Sequence, residues 1–465
     1  MPESADVLKV AVAGHTNTGK TSLMRTLTRD PAFGKVADSP GTTRRVEGSR
    51  LLAQGRPVLE LFDTPGMEDG IALLEFLERL PRPGERLDGP ARVQRFLEGP
   101  EAHGRFEQEA RVLRKLLDCD AALYVIDARD PVLGKHRDEL AILAGCARPL
   151  LPVLNFVGRP PHRADAWREA LGRLGLHVQV EFDTVAPALD GEQQLYSRLA
   201  TLLDRHRPAL AALMADLDRQ RRERREAAAG LVADMLVDVA ALRLPVRGGE
   251  DEQAALAGVR ERVRAREQQC VEALLALYRF RPGDYAADPL PLDGTRWGMD
   301  LFHPQALKDM GIGLGKGMVA GAMAGATLDA FTAGLSLGAA TLIGAAAGGL
   351  WQGADRLGQR VLGRLRGWRE LTVDDPVLRL LALRQQALAR ALERRGHAAR
   401  DPLRLAPPSD EAWRSGPLPE ALAEARSQPS WSSLSGRLAD SPRREAVVRS
   451  LAAALLDAPA PADGG

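Results

Sequence analysis

The sequence has few cysteines and no metal-binding spacing. Its three cysteines, Cys119, Cys146 and Cys270, lie far apart, and no C-x-x-C, H-x-x-x-H or H-E-x-x-H pair occurs. These absences argue against a disulfide framework and against a metal cage made only of protein side chains. Scattered cysteines of this kind are typical of proteins in a reducing compartment.

A strong net charge is also absent, because 63 basic side chains balance 62 acidic ones in a chain of 465 residues. The composition therefore predicts no global attraction to nucleic acid or to anionic membranes.

The first residues, MPESADVLKV, lack the basic and apolar regions of a signal peptide, so we expect a cytoplasmic protein. This length allows two or three domains.

Short apolar segments alternate with helical ones in the first 200 residues, and this alternation predicts an α/β fold with a mostly parallel sheet. We assign residues 1–204 to this domain. An insertion at about 67–106, interrupted repeatedly by Pro and Gly, is expected to be irregular. The predicted strands are 7–13, 50–53, 58–62, 121–126, 150–154 and 178–182, the second and third forming an antiparallel pair.

The strongest motif follows the first predicted strand and opens a helix. The pattern G-x-x-x-x-G-K-[ST] is matched at Gly14, Gly19, Lys20 and Thr21. Backbone N–H groups in such a loop surround phosphate oxygens, and the helix N-terminus adds partial positive charge. Lys20 would bridge the β- and γ-phosphates, and the Thr21 hydroxyl would bind Mg²⁺. The candidate nucleotide-binding residues here are Gly14, His15, Thr16, Asn17, Thr18, Gly19, Lys20, Thr21 and Ser22.

Two further segments fit the same chemistry. D-T-P-G at 63–66 ends a predicted strand, so Asp63 can hold Mg²⁺ and the Gly66 N–H can meet a γ-phosphate. P-G-T-T-R at 40–44 offers Thr43, with Thr42 as the alternative, as a ligand of Mg²⁺ and a sensor of the γ-phosphate. Lys20, Thr43 and Gly66 are therefore candidate catalytic residues, and Thr21, Thr43 and Asp63 are candidate metal ligands.

The motifs GHTNTGKTS, PGTTR and DTPG, in this order and spacing, resemble those of bacterial translation-factor-class GTPases related to Era, TrmE and EngA. The resemblance covers residues 7 to about 200 and implies a Ras-like P-loop fold that binds GTP and GDP and hydrolyses GTP with Mg²⁺. In the TrmE branch, an Asn of the P-loop also helps to bind K⁺. Asn17 occupies that position, and a loop-stabilising role is the alternative.

The guanine-reading motif of this family, N-K-x-D, is altered. The corresponding residues are Asn155-Phe156-Val157-Gly158, so Asn155 remains a candidate nucleotide-binding residue and the carboxylate that pairs with guanine is missing. Asp183, in a neighbouring loop, is a candidate substitute. GTP remains the expected nucleotide, because the upstream motifs are of the GTPase type.

The residue that orients the attacking water is altered as well. Met67 stands where Ras-like proteins have Gln, and a thioether cannot orient water, which predicts slow hydrolysis. Glu75 is the candidate catalytic carboxylate, and Glu68 and Asp69 are the alternatives.

After about residue 205 the strand signals vanish, and we predict an all-α domain over 205–465. Apolar residues at helical spacing predict a helical hairpin at 207–280, and further helices are expected at 374–396 and 441–457. The basic run RQRRERR at 219–225 contains Glu and no aromatic residue, so it is typical of a solvated helix face. We therefore expect no nucleic-acid partner from this run.

Residues 310–353 are rich in Gly and Ala, with glycines at four-residue spacing on each of two segments, and predict a helical hairpin. Each arm has about 19 residues, enough to span a bilayer, and Lys316 lies inside the first arm. A hairpin peripheral to or inserted in the inner membrane and a packed soluble hairpin are both consistent with this pattern. The predicted function is a GTP-binding switch with a membrane or membrane-protein partner. The alternatives are a ribosome- or RNA-associated GTPase and a nucleotide-binding scaffold with negligible hydrolysis.

Overall fold

The structure is a computed structural model. Its contacts divide the chain into two compact units, Met1–Arg221 with Arg394–Asp401, and Arg222–Glu393 with Pro402–Gly465. The division at residue 204 that the sequence predicts stays a proposal. The structure describes residues 7–30, 33, 47–158, 160–247, 252–280, 292–293, 296–297, 301–302, 312, 335–337, 368–396, 411–436, 438 and 441–457.

The first unit contains a six-stranded sheet with the order β2-β3-β1-β4-β5-β6. Strand β2 is antiparallel to β3, and the other neighbouring strands are parallel. The predicted antiparallel pair and the mostly parallel sheet are thus confirmed. The strands are β1 (Leu8–Ala13), β2 (Glu47–Ala53), β3 (Arg56–Asp63), β4 (Ala121–Asp127), β5 (Leu150–Asn155) and β6 (Val180–Glu181).

Helices cover both faces of this sheet, because its inner strands are apolar on both sides. One apolar cluster joins the sheet to α1 and α7, and another joins it to α2 to α6. The helices are α1 (Lys20–Thr28), α2 (Gly70–Arg79), α3 (Gly89–Glu98), α4 (Glu107–Leu117), α5 (Gly134–Ala144), α6 (Ala164–Arg173) and α7 (Gly191–Leu202), with short 3₁₀ turns at Pro100–His103 and Asp204–His206.

The segment 67–106 is largely helical, and the expectation of irregular structure is wrong there. Asp69 and Asp88 cap α2 and α3 by accepting hydrogen bonds from backbone N–H groups three residues later. Apolar residues one turn apart, Leu73 and Leu77 in α2, are buried. The prolines and glycines that break the pattern lie mostly between these helices.

The second unit is mainly helical, as predicted, but it is not all-α. Three short strands form an antiparallel sheet in the order β10-β11-β7. Leu335–Leu337, which lies in the predicted Gly/Ala-rich hairpin, pairs with residues 371–373, where Leu371 and Val373 are buried. Buried and partly exposed side chains alternate along 370–373, and this is the period of a strand. The strands are β7 (Leu244–Arg247), β8 (Leu292–Asp293), β9 (Arg296–Trp297), β10 (Leu335–Leu337) and β11 (Trp368–Val373).

In the second unit, the C-terminal part of α8 (Arg207–Ala241) runs antiparallel to α9 (Glu252–Leu277). Cys270 lies 3.8 Å from the Leu231 carbonyl, and Arg266 donates to both Asp234 and Asp238. As the residue numbers increase along α9, the numbers of their partners on α8 therefore decrease. The remaining helices are α8 (Arg207–Ala241), α9 (Glu252–Leu277), α10 (Asp375–Glu393), α11 (Glu411–Arg414), α12 (Glu420–Ser427) and α13 (Pro442–Leu456). Both predicted C-terminal helical segments contain a helix of this list.

Among the residues that the structure describes, no helix has both the length and the apolar character required to span a bilayer. The Gly/Ala-rich segment 310–353 lies outside the described residues, apart from Ile312 and β10. Its predicted helical hairpin therefore stays a prediction.

Candidate functional site

The loop between β1 and α1 is shaped by left-handed backbone conformations. Gly19 precedes α1 with φ 93°, and Asn17 has φ 65°. A Cβ atom at Gly19 would lie 2.3 Å from the Asn155 side-chain nitrogen, so only glycine fits there. The Thr18 hydroxyl donates to the His15 carbonyl and closes the turn. The N-terminus of α1 consequently points into the loop, as expected for a phosphate-binding site.

Lys20 is the buried cation of this loop. Its Nζ donates to the carbonyls of Gly14 (3.0 Å) and His15 (2.7 Å), and the residue is 7% exposed. Burial lowers the pKa of Lys20 to about 8, against the opposing effect of the Asp63 and Glu139 carboxylates. An ammonium held in this way would be stabilised by an anion at the loop.

Two oxygen ligands meet beside Lys20. The Thr21 hydroxyl donates to Asp63 Oδ2 at 2.5 Å, so the end of β3 lies next to the start of α1. Gly66 lies against the loop, because a Cβ atom there would be 2.5 Å from Thr16 Oγ1 and 2.9 Å from the Thr16 backbone nitrogen. The segments 14–21 and 63–66, far apart in sequence, are thus brought together.

Asn155, at the end of β5, is fully buried and joins three segments. Its Nδ2 donates to the Thr18 carbonyl at 3.0 Å, and its Oδ1 accepts from the backbone N–H groups of Phe156 and Thr184. The predicted nucleotide-binding residue therefore contacts the phosphate loop directly. Its amide ties that loop to the loops after β5 and β6.

Asp183 lies beside the position where the family's carboxylate is missing. Its Oδ2 accepts from the Gly158 N–H at 2.8 Å, and a Cβ atom at Gly158 would be 2.9 Å from the same oxygen. Its Oδ1 accepts from the N–H groups of Val185 and Ala186. The Asp183 carboxylate consequently occupies the space that a side chain at 158 would enter.

Phe156 stands where the family motif has Lys. Its ring lies next to Gly19, since a Cβ atom at Gly19 would be 3.2 Å from the ring carbon Cζ. The Arg129 guanidinium lies 4.1 Å from the ring centroid and pairs with Asp127. An aromatic ring therefore borders the loop at the ends of β4 and β5.

A partly buried network, found only in the structure, surrounds His15 of the loop. His15 Nδ1 is 2.6 Å from Glu139 Oε1, and Lys135 Nζ is 2.8 Å from His15 Nε2. Because an ammonium can only donate, Nε2 accepts and the Nδ1 proton points to Glu139. The Tyr124 hydroxyl donates to Glu139 Oε2, and burial raises the Tyr124 pKa well above its usual value. These residues fix the orientation of His15.

The other predicted residues have different outcomes. Glu75 lies on α2, is exposed and forms an ion pair with Arg79; the contacts of the described residues give a catalytic role no support. The backbone N–H groups of Glu68 and Asp69 donate to Glu109, a residue that no sequence motif indicates. Ser22 is half-buried in the first turn of α1. Thr42 and Thr43, with the whole segment 40–44, lie outside the described residues.

The residues present fit a nucleotide with Mg²⁺. A desolvated ammonium next to a loop of backbone N–H groups suits phosphate, and a hydroxyl beside a carboxylate offers the oxygen ligands that Mg²⁺ prefers. These features together define the P-loop class of nucleotide-binding proteins.

Two family models match the chain. The one described as 50S ribosome-binding GTPase (MMR_HSR1) matches residues 9–156, and the one described as domain of unknown function (DUF3482) matches residues 168–453. The first match identifies the N-terminal part as a GTPase domain. The second spans more than half of the chain, which therefore belongs to the DUF3482 family.

The curated relatives include GTPases and GTP-binding proteins. The tRNA modification GTPase MnmE of Synechococcus sp. (strain JA-3-3Ab) is 30% identical over 240 residues, which are 51% of this chain and 43% of that protein. The probable GTP-binding protein EngB of Ruegeria sp. (strain TM1040) is 30% identical over 141 residues, which are 30% of this chain and 63% of that protein. The chain thus spans less than two thirds of each.

Similar solved structures include Era of Aquifex aeolicus bound to GDP and AlF₄⁻, with 19% identity, a TM-score of 0.30 and coverage of 42% of this chain and 57% of that chain. The G domain of the T. maritima FeoB iron transporter has 20% identity, a TM-score of 0.26 and coverage of 42% and 99%. Both are similarities of fold alone.

Proposed function

We propose that the first unit is a GTP-binding switch that hydrolyses GTP slowly with Mg²⁺. The observation that carries this proposal is the convergence of Lys20, the Thr21–Asp63 pair and Gly66 around one loop. Lys20 neutralises the β- and γ-phosphates, and the backbone of residues 14–22 surrounds them. Thr21 and Asp63 would hold Mg²⁺, which would neutralise charge on the transferred phosphoryl group.

Two candidate roles complete the site. The Gly66 N–H meets the γ-phosphate, as its close approach to Thr16 supports. Thr43 is proposed as a third ligand of Mg²⁺ from the sequence motif alone. The backbone of Met67 pairs with His15 and its side chain is fully buried, so it offers no polar group to the attacking water, which supports slow turnover.

For base recognition we propose Asp183 in place of the missing carboxylate at 158. Guanine presents two N–H donors side by side, and a carboxylate can accept both. The Asp183 carboxylate contacts the backbone of Gly158, and this contact supports Asp183 as the replacement for the missing carboxylate. The ring of Phe156 supplies an apolar face near the phosphate loop. Asn155 contributes by holding the loops around this pocket.

The affinity for GTP is expected to fall as the pH rises above about 8. The pKa of Lys20 is lowered to about 8 by burial, and a bound triphosphate would raise it again. Below pH 8 the ammonium is charged with or without nucleotide, so this group adds no pH dependence. Above it, binding takes up a proton, and the affinity falls by up to about tenfold per pH unit until the pKa of the bound form is reached.

Titration of a fluorescent GTP analogue between about pH 7 and about pH 9.5 measures this dependence. Calorimetry in two buffers of different ionisation enthalpy should detect uptake of one proton in the alkaline range. A constant affinity across that range would contradict a lowered Lys20 pKa in the free protein.

The proposed hydrolysis is tested by single-turnover measurements in KCl and in NaCl. If Asn17 helps to bind K⁺, hydrolysis should be faster in KCl by roughly tenfold, or about 1.4 kcal/mol of barrier, and should stop when EDTA removes Mg²⁺. Asn17→Gly should abolish the difference, because glycine keeps the left-handed backbone at φ 65° and lacks the amide.

The matched control is Gln54→Gly, which removes an amide from another left-handed turn, at φ 51° between β2 and β3. Equal rates in both salts would indicate that Asn17 stabilises the loop and does not help to bind K⁺. No hydrolysis in either salt would favour a nucleotide-binding scaffold over a GTPase switch.

The partner of the switch remains a proposal with two candidates. Contact with a membrane or membrane protein depends on the predicted hairpin at 310–353. Association with a ribosome or RNA is favoured by the family description, 50S ribosome-binding GTPase, and by the tRNA modification GTPases among the relatives. Neither partner contributes to the proposed chemistry of the site.

A further inference from the structure

Residues 66–69, which we name the sensing loop, form the part of the connection between β3 and α2 that leads into α2. Its backbone polar groups bond to the first turn of α4. Gln108 Nε2 donates to the Gly66 carbonyl at 2.5 Å, and Glu109 Oε1 accepts from the N–H groups of Glu68 and Asp69, each at 3.0 Å. Two adjacent side chains of α4 thus hold both ends of this loop.

The opposite side of the sensing loop lies against the phosphate loop. Gly66 approaches Thr16 so closely that no side chain fits between them, and Met67 pairs with His15 through the backbone. Residues 66 and 67 are therefore confined between the phosphate loop and α4. Movement of either neighbour would move the Gly66 peptide groups.

The contacts with α4 are strong ones. Glu109 is only 3% exposed, and a carboxylate that accepts backbone N–H groups forms hydrogen bonds roughly twice as strong as neutral ones. Loss of the carboxylate would leave two N–H groups of the loop without this acceptor. Gln108 is half-buried and its amide can be removed with less disturbance of the core.

We propose that Gln108 and Glu109 are positioning residues for GTP hydrolysis, which act by fixing the sensing loop. This inference rests on the proposed function. Met67 has no polar group with which to orient the attacking water. The geometry of the reaction therefore depends more on the position of the Gly66 backbone. Gln108 acts through the Gly66 carbonyl and Glu109 through the next two N–H groups, whereas affinity for the nucleotide depends mainly on residues 14–21.

This assignment predicts a loss of rate without a loss of binding. Gln108→Ala should lower the single-turnover rate of GTP hydrolysis by at least about tenfold, since a small misplacement in a catalytic site can cost roughly a hundredfold. The dissociation constants for GTP and GDP should change by less than about threefold. Gln108→Glu, of the same shape, should lose as much rate, because its carboxylate repels the Gly66 carbonyl.

The second position offers a test by conservative replacement. Glu109→Ala should lower the rate, while Glu109→Gln should retain most of it, because one amide oxygen can accept both backbone hydrogen bonds. The matched control is Gln94→Ala on α3, where the amide bonds only to Glu98 on the exposed surface among the described contacts. This control should hydrolyse GTP at the wild-type rate.

Three outcomes would overturn the inference. Wild-type hydrolysis by both Gln108 variants would show that the contact with Gly66 does not matter. A parallel loss of rate, affinity and Tm would show that these residues merely stabilise the fold. Failure of the wild-type protein to bind or hydrolyse GTP would defeat the proposed function itself, and it is distinguished from the first two outcomes by the wild-type measurement alone.

Discussion

Replacing Asp183 with Asn is expected to exchange guanine for xanthine as the preferred base. Xanthine carries a carbonyl where guanine has its exocyclic amine, so an amide complements it as a carboxylate complements guanine. By analogy with bidentate base recognition, the affinity for GTP should fall by about 1–3 kcal/mol, a factor of roughly 5–150, and the affinity for XTP should rise by a similar factor.

A structural role for Asp183 would not produce this exchange. Its carboxylate accepts three backbone hydrogen bonds, from Gly158, Val185 and Ala186, and weakening them would lower the affinity for every nucleotide. Competition between GTP, XTP and ATP therefore separates the two roles. Asp190→Asn is the matched control, since Asp190 bonds to Gln194 at the start of α7.

Placing a carboxylate at position 158, where the family motif has one, also tests whether Asp183 replaces it. Gly158→Asp alone should bind GTP poorly, because its Cβ atom would lie 2.9 Å from Asp183 Oδ2. The double variant Gly158→Asp with Asp183→Ser relieves this contact and should recover affinity for GTP. An Asp183→Asn variant that binds GTP normally would contradict our assignment.

The local parts of the candidate site can be predicted from sequence motifs. Phosphate-binding loops combine a glycine turn, a lysine and a hydroxyl within a few residues. The motif at 14–22 is therefore enough to predict the geometry of this loop. The ends of parallel strands meet at one edge of a sheet, which is why D-T-P-G after β3 could be placed beside that loop. The Thr21–Asp63 contact follows from these two rules.

Long-range contacts could not be predicted in this way. Gln108 and Glu109 reach a loop about 40 residues earlier, and Glu139 reaches His15 across 124 positions. No periodicity specifies which side chains of α4 or α5 turn towards the loop. Glu75 was assigned on closeness in sequence to Gly66, and α2 instead presents it to solvent beside Arg79.

Replacing Lys20 with Ala is expected to remove most of the affinity for GTP. The ammonium is already buried in the phosphate loop and held by two carbonyls, so we expect binding to need little reorganisation. Truncating one partner of a buried charged pair costs about 2–5 kcal/mol, or roughly 30-fold to several thousand-fold in the dissociation constant. The fold should persist, because the change removes a cation whose charged form burial disfavours.

The control is Lys9→Ala, which removes an exposed lysine from β1, the strand that leads into the same loop. This variant should bind GTP as the wild-type protein does. Similar Tm values for the two variants would exclude unfolding as the cause of any loss.

Competitive binding of Mg²⁺–GTP by the wild-type protein, Lys20→Ala and Lys9→Ala, with ATP as the competitor, is the most direct measurement of a triphosphate held by residues 14–21. The account predicts that wild-type and Lys9→Ala proteins prefer GTP over ATP and that Lys20→Ala loses affinity by a factor of at least about 30. Equal affinity of the wild-type and Lys20→Ala proteins for GTP would contradict it.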